Sequence, residues 1–157
     1  MRLAHWYTAG MSDWQENLIE SDAELAAILA ETKRIAVLGI KTEAQAGQPA
    51  FYVSRYMAEA GYEIVPVPVY YPDVFEILGE PVYRQLAEIP EPVDMVNVFR
   101  RPRDIPPHLP DILSARPRVV WMQLGISHDE VAETLARAGI KVVQDRCLMV
   151  DHRRLRR

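Results

Sequence analysis

One cysteine, three lysines and seven glycines stand in a chain of 157 residues, and each scarcity excludes something. The single cysteine, Cys147, rules out an internal disulfide and suits a reducing compartment. The glycines never gather into G-x-G-x-x-G or into the G-x-x-x-x-G-K-S/T of a P-loop, so neither phosphate-binding fingerprint is present. There is no G-x-S-x-G elbow, and no spacing of His, Cys, Asp or Glu resembles a metal site. No apolar run approaches the ~20 residues of a membrane span. Met1 to Gly10 lacks the charged segment and long apolar core of a signal peptide, so the expected location is cytoplasmic. Those ten residues are expected to be an upstream extension, packed weakly or not at all.

What is present is ordinary for a globular domain: 49% hydrophobic and 25% charged residues, enough chain for one real core. A net charge of −4 gives no general attraction to nucleic acid or to an anionic membrane. The division expected is an extension over residues 1–19, one domain over 20–150 and a solvated basic tail over 151–157.

The run Ile35-Ala36-Val37-Leu38-Gly39 is apolar or small without alternation, as in a strand buried on both faces. Ser21-Asp22-Ala23-Glu24 is a capping box that opens a helix ahead of it. Pro49 can open the next helix, with Val53, Tyr56, Met57 and Ala60 inward and Gly61 as its stop. Tyr62–Val67 reads as a second strand, kept short by Pro66 and Pro68. The stretch from Val69 to Gly79 is apolar but aperiodic and reads as a loop packed over the carboxyl edge of the sheet, with a short helix at Val82–Ala87 after it. Val93–Phe99 reads as a third strand, interrupted by Asp94 and Asn97. Pro106, Pro107 and Pro110 force the next helix to start late or kink. Arg118–Leu124 is a fourth strand; Ser127-His128-Asp129-Glu130 reads as a second capping box; Ile140–Gln144 is a fifth strand. Five alternations imply a doubly wound, five-stranded parallel α/β sheet in a single domain, with strand order 3-2-1-4-5 expected.

Ligands of such sheets bind at the carboxyl ends of the strands. The residues there are Gly39 to Thr42, Pro66 to Tyr70, Phe99 to Arg101 and Gln123 to Ile126. Gly39, Ile40, Lys41 and Thr42 offer a glycine turn, an ammonium and a hydroxyl ahead of a helix, an arrangement that suits phosphate and equally an ordinary βα turn. Phe99, Arg100 and Arg101, followed by Arg103, offer an aromatic and guanidinium forks, which pair with phosphate and stack on flat rings. Gln123, Gly125 and Ile126 add an amide and backbone donors before a capped helix. Together they suit a ligand with several phosphates and a purine. Catalytic candidates are thin: His128 in a helix's first turn reads as surface, His108 among prolines as exposed, and Cys147 after Asp145-Arg146 as a buried thiol that an arginine could activate.

Ile35–Gly39, Ala60-Gly61-Tyr62-Glu63-Ile64-Val65-Pro66-Val67, Ile77-Leu78-Gly79-Glu80, Val93–Pro102, Val120–Ile126 and Ala138-Gly139 through Asp145-Arg146-Cys147-Leu148 follow one another in a familiar order. Over residues 20–150 the chain resembles the small stand-alone CoA-binding proteins, which are similar to the CoA-binding domain of the succinyl-CoA synthetase alpha subunit. The resemblance implies a Rossmann-like domain that binds coenzyme A or an acyl-CoA and carries no reaction of its own. It implies that Lys41 and Thr42 hold the pyrophosphate beside Gly39 and Ile40, that Pro66 and Val67 border the site, that Arg100 and Arg101 serve the adenosine end with its 3′-phosphate, and that Gln123, Gly125 and Ile126 line the pantetheine path. Two positions depart from the family: Pro66-Val67-Pro68-Val69 lacks the asparagine of Pro-Val-Asn-Pro, and Ala50 follows Pro49 where a serine is usual. The alternatives are an NAD(H)- or nucleotide-sensing subunit and a component of a partner-dependent acyl-CoA enzyme.

Overall fold

Five short strands run parallel through the middle of the molecule: β1 (Arg34–Leu38), β2 (Glu63–Val67), β5 (Met95–Val98), β6 (Val119–Met122) and β7 (Lys141–Val143). The computed structural model describes residues 13–155. Helices α1 (Asp22–Glu31), α2 (Pro49–Glu59) and α5 (Leu148–Leu155) cover one face of the sheet, packed on Ile35, Val37, Met95 and Trp121. Helices α3 (Leu109–Ala115) and α4 (Asp129–Arg137) cover the other, packed on Leu38, Val96, Val98 and Met122. Burial on both faces explains the unbroken apolar runs of the central strands. The single α/β domain with a five-stranded parallel sheet is as the sequence implies.

The strand order is a correction. The sheet runs β2-β1-β5-β6-β7, which is 2-1-3-4-5 when only its own strands are counted, not 3-2-1-4-5. Two residues account for it. In β2, Glu63 N–H and Val67 C=O face the β1 side, while the Pro66 carbonyl points outward and accepts the Tyr83 N–H at 3.0 Å. An inner second strand would need a donor at position 66, and proline has none, so β2 belongs at an edge. Asp94, just ahead of β5, accepts the backbone N–H groups of Lys33 and Arg34, both at 2.9 Å, and so ties the third sheet strand to the first. Its other interruption, Asn97, is 1% exposed, between Val37 and Trp121 in register.

The edge beyond β2 is shielded by a hairpin of two-residue strands, β3 (Glu76–Ile77), within the Val69–Gly79 stretch expected to be loop, and β4 (Glu80–Pro81), just after it. The expected helix at Val82–Ala87 is only a 3-10 turn, Leu86–Glu88. Helix α3 starts late, as the prolines require, after 3-10 turns at Pro102–Asp104 and Pro106–His108. Ser21 caps α1 and accepts the Glu24 N–H, as its capping box implies. The cap of α4 is one residue later than expected: His128, not Ser127, accepts the Val131 N–H, through Nδ1. In α2, Val53 and Met57 are buried, but Ala60 is exposed beyond the helix end.

Both outer boundaries also move. Residues 13–19, expected to belong to an extension, pack on the domain: Leu18 bridges Val142, Ile19 donates to the Val142 carbonyl at 2.9 Å, and Asn17 Nδ2 donates to Ala136, closing the β7 edge. The expectation for Met1 to Gly10 lies outside the described residues. Residues 151–155 are not a solvated tail but the second half of α5. Asp151 is 3% exposed and takes Arg146 at 2.6 Å and Arg154 at 3.1 Å, and Arg154 forks onto Asp22 of α1. Carboxylates on the folded domain draw the basic residues in.

Candidate functional site

In a 2-1-3-4-5 sheet the chain reverses direction between the first and third sheet strands, and a crevice opens at their carboxyl ends. A cleft of about 390 Å³ lies at that place, over the ends of β1, β5 and β6. Nine of the twelve residues expected from sequence line it: Gly39, Ile40, Lys41, Phe99, Arg100, Arg101, Gln123, Gly125 and Ile126.

Three do not. Thr42 is 7% exposed; its hydroxyl accepts the Ala44 N–H at 3.2 Å and donates to Gln45 Oε1 at 2.8 Å, capping the 3-10 turn Glu43–Gln45. Val67 is fully buried, and its carbonyl accepts the Gly39 N–H at 2.9 Å. Pro66 faces the hairpin side of β2. The latter two follow from the corrected order, which puts β2 at the edge and away from the crevice.

Gly39 has φ +87°, and a Cβ there would lie 2.3 Å from the Phe99 carbonyl oxygen. The glycine is therefore required by the close approach of the β1 turn to the end of β5. The Gly125 N–H is occupied as well, donating to Asp145 Oδ1 at 2.6 Å. Gln123 is 4% exposed and its Oε1 accepts the Leu148 N–H at 3.3 Å, so this amide joins the cleft floor to the start of α5.

The cations differ in their surroundings. Arg101 is exposed and paired with Asp104 at 2.8 Å. Arg100 has no carboxylate partner among the described residues; Nε donates to His108 Nε2 at 3.2 Å, and Nη1 lies 3.5 Å from the Tyr70 hydroxyl, with the guanidinium 5.7 Å from the Tyr70 ring centroid. Arg100 holds that phenol below its usual range, through the hydrogen bond first and its charge second. Lys41 Nζ lies 3.5 Å from the Tyr71 hydroxyl, again with no carboxylate among the described residues. The two tyrosine rings meet edge to face at 6.3 Å. A cation therefore stands beside each ring of a tyrosine pair.

Sequence reasoning placed Tyr70 at the carboxyl edge and noted Ala50 as a departure from the family, but gave neither a place in the site, and it missed Tyr71, Gln48 and Pro49, which also line the cleft. It did expect the loop from Val69 over the carboxyl edge, and two adjacent tyrosines in such a loop were the available signal. Nothing marked Arg84, whose guanidinium donates to the carbonyls of Tyr70 at 3.2 Å, Tyr71 at 3.0 Å and Val74 at 2.6 Å. It holds the loop, including Tyr71 at φ +66°. Cys147 is half-buried, packs against the core beside α5 and is absent from the cleft lining. His108 is half-buried rather than exposed.

The sequence model of the CoA binding domain matches residues 33–153. The chain belongs to that family. The relatives are of similar size. The uncharacterized protein YneT of Bacillus subtilis (strain 168) is 38% identical over 132 residues, 84% of this chain and 94% of YneT. The Thermus thermophilus protein known as cell-free ID.343 superposes with a TM-score of 0.79 at 46% identity, covering 87% of this chain and 99% of that one. A hypothetical protein from Pyrococcus horikoshii OT3 gives 0.78 at 29% identity, over 87% and 92%. The dinucleotide-forming acetyl-coenzyme A synthetase 1 of Ca. Korarchaeum cryptofilum shares the fold, with a TM-score of 0.58 at 16% identity over 70% of this chain and 25% of that one. Among the described residues no helix is long and apolar enough to cross a membrane.

Proposed function

We propose that the cleft binds coenzyme A or an acyl-CoA, and that the domain is a cytoplasmic binding module with no catalysis of its own. One observation carries the reading: in a chain of net charge −4, the cleft is lined by Lys41, Arg100 and Arg101 and, among the described residues, by no carboxylate. Such a site favours a polyanion. Lys41 takes the pyrophosphate, without the Thr42 hydroxyl, which is used in its cap. Arg100 and Arg101 take the 3′-phosphate. Gln123, Gly125 and Ile126 border the pantetheine arm, and membership of the CoA-binding domain family supports the choice of ligand.

The same lining argues against NAD(H). A dinucleotide site uses an acidic residue at the end of the second strand to accept the ribose hydroxyls. The residues following β2 that reach this cleft are Val69, Tyr70 and Tyr71. A ribose diol meets no carboxylate, and a ribose 3′-phosphate meets no repulsion.

The test is a calorimetric titration of the protein with CoA, 3′-dephospho-CoA and NADH at one fixed ionic strength, because phosphate contacts are screened by salt. CoA is expected to bind most tightly and loss of the 3′-phosphate to weaken it. NADH binding best would overturn the assignment, and equal affinity for CoA and dephospho-CoA would remove the two arginines from it.

A further inference from the structure

His108 has no place in the reading above, yet it makes the shortest polar contact of the Arg100 side chain. We infer that His108 is a positioning residue for Arg100: as a neutral acceptor it fixes the guanidinium through Nε and leaves both Nη groups for a phosphate in the cleft. The inference rests on the CoA reading and names the residue that orients its phosphate fork.

The geometry is specific. Arg100 Nε donates to His108 Nε2 at 3.2 Å, so that ring nitrogen carries no proton. On the other side the guanidinium meets Tyr70, with Nη1 3.5 Å from the hydroxyl. The fork is thus held between an imidazole and a phenol, neither of which neutralises it. A carboxylate in place of His108 would hold it equally well but would compete with the ligand for its charge.

The charged groups around His108 agree with a neutral ring. Burial lowers its pKa first and the Arg100 cation lowers it further. Asp111 on α3 and Asp104 on the preceding turn oppose this, but both carboxylates are engaged: Asp111 by the Leu86 and Ala87 N–H groups at 2.7 and 2.9 Å, Asp104 by Arg101 at 2.8 Å. Orientation matters because a guanidinium recognises phosphate best as a two-pronged fork, and freezing a flexible side chain beforehand removes an entropy loss on binding.

The test compares His108→Leu, which removes the acceptor, with His108→Gln, whose amide oxygen restores one. Titration with CoA and with 3′-dephospho-CoA is expected to show CoA affinity about tenfold lower in His108→Leu, the size of one hydrogen bond to a charged group. His108→Gln is expected to recover most of it, and dephospho-CoA to be little affected by either. In an Arg100→Gln background the His108 substitutions are expected to be silent. Independently of any ligand, the His108 ring followed by NMR is expected to titrate closer to the usual imidazole range in Arg100→Gln than in the wild type. Wild type that binds CoA with His108→Leu unchanged, equal losses in His108→Leu and His108→Gln, or an Arg100→Gln variant in which the His108 titration does not move would each overturn the positioning role. Wild type that binds no CoA would overturn the reading of the cleft, and the role of His108 toward it.

Discussion

The Cβ that Gly39 lacks would stand 2.3 Å from the carbonyl oxygen of Phe99, so the turn after β1 and the end of β5 touch through a position with room for hydrogen only. That contact forms one wall of the cleft. It makes the glycine structural whether or not a ligand is bound.

Gly39→Ala is therefore expected to destabilise the protein by about 2–4 kcal/mol, combining a left-handed φ of roughly 1–2 kcal/mol with a backbone clash that only a shift of β5 relieves. Gly125 is the control. Its φ is +83°, but an added Cβ meets nothing within 4 Å. Gly125→Ala is expected to lose about 1–2 kcal/mol, the conformational part alone. Urea denaturation of both variants checks this, and equal losses would show that the β1 turn moves freely away from Phe99.

The physics behind this contact also shows what was legible in the sequence. Burial on both faces of a parallel sheet leaves its mark as an uninterrupted run, and Ile35 to Leu38 carries it. The turn after such a strand must lie at the carboxyl edge, so Gly39 to Lys41 could be placed at the cleft. Strand order is different in kind, because it depends on pairings between distant residues. The decisive marks, Pro66 as an edge residue and Asp94 as acceptor for Lys33 and Arg34, are single residues whose meaning appears only with the neighbour in place. Thr42 shows the same limit at the site. A hydroxyl beside a glycine turn suits a phosphate and a cap equally, and Gln45 three residues on decides for the cap.

Lys41 and Thr42 can be separated experimentally. Lys41 lines the cleft, and among the described residues its ammonium meets the hydroxyl of Tyr71 at 3.5 Å and no carboxylate, so Lys41→Ala is expected to weaken CoA binding by about 1–3 kcal/mol with little change in melting temperature. Thr42→Ala removes a cap and is expected to cost about 0.5–1 kcal/mol of stability with CoA affinity nearly unchanged. Calorimetry and thermal melts on the two variants would show crossed effects. The reverse pattern would return the hydroxyl to the ligand and take the ammonium out.

The ion pairs that draw the C-terminal residues onto the domain give a dependence on pH. Arg154 holds the Asp22 carboxyl below the usual aspartate range, chiefly through its hydrogen bond. A depressed carboxylate contributes stability above its unfolded pKa, about 3.9, and the contribution is lost as pH falls through the folded value. Asp22→Asn is expected to narrow the drop in urea midpoint between pH 7 and pH 3, and to do so less at high salt because the pair is exposed. Asp151 is the buried member of this group and takes two arginines. Asp151→Ala is expected to lower stability by roughly 1–3 kcal/mol, the range for hydrogen bonds to a charged group, with Arg146 spared a larger penalty because it reaches solvent. A loss smaller than that of Asp22→Asn at pH 7 would mean that the Arg154–Asp22 pair, and not Asp151, holds the end of α5.

Asn97, like Ser54 in α2, is a polar side chain that stands against the interior without visible return among the described residues. It lies in β5, 1% exposed, between Val37 and Trp121 in register. Among the described residues neither its Oδ1 nor its Nδ2 has a hydrogen-bond partner within the protein. An unpaired buried polar group costs about 1–3 kcal/mol, and leucine has nearly the same shape as asparagine without the polar atoms. Asn97→Leu is therefore expected to stabilise the ligand-free protein by about 1–2 kcal/mol, the gain moderated by the different branching of the side chain. Residue 97 points to the same face of β5 as Phe99, one step below the cleft, so the variant should be titrated with CoA as well as unfolded. Higher stability with unchanged affinity would show that the amide is a tolerated interior flaw. Lower stability would show that the amide is hydrogen-bonded in solution. Higher stability with weaker CoA binding would mean that it serves the site above it, through a contact made only when the ligand is present.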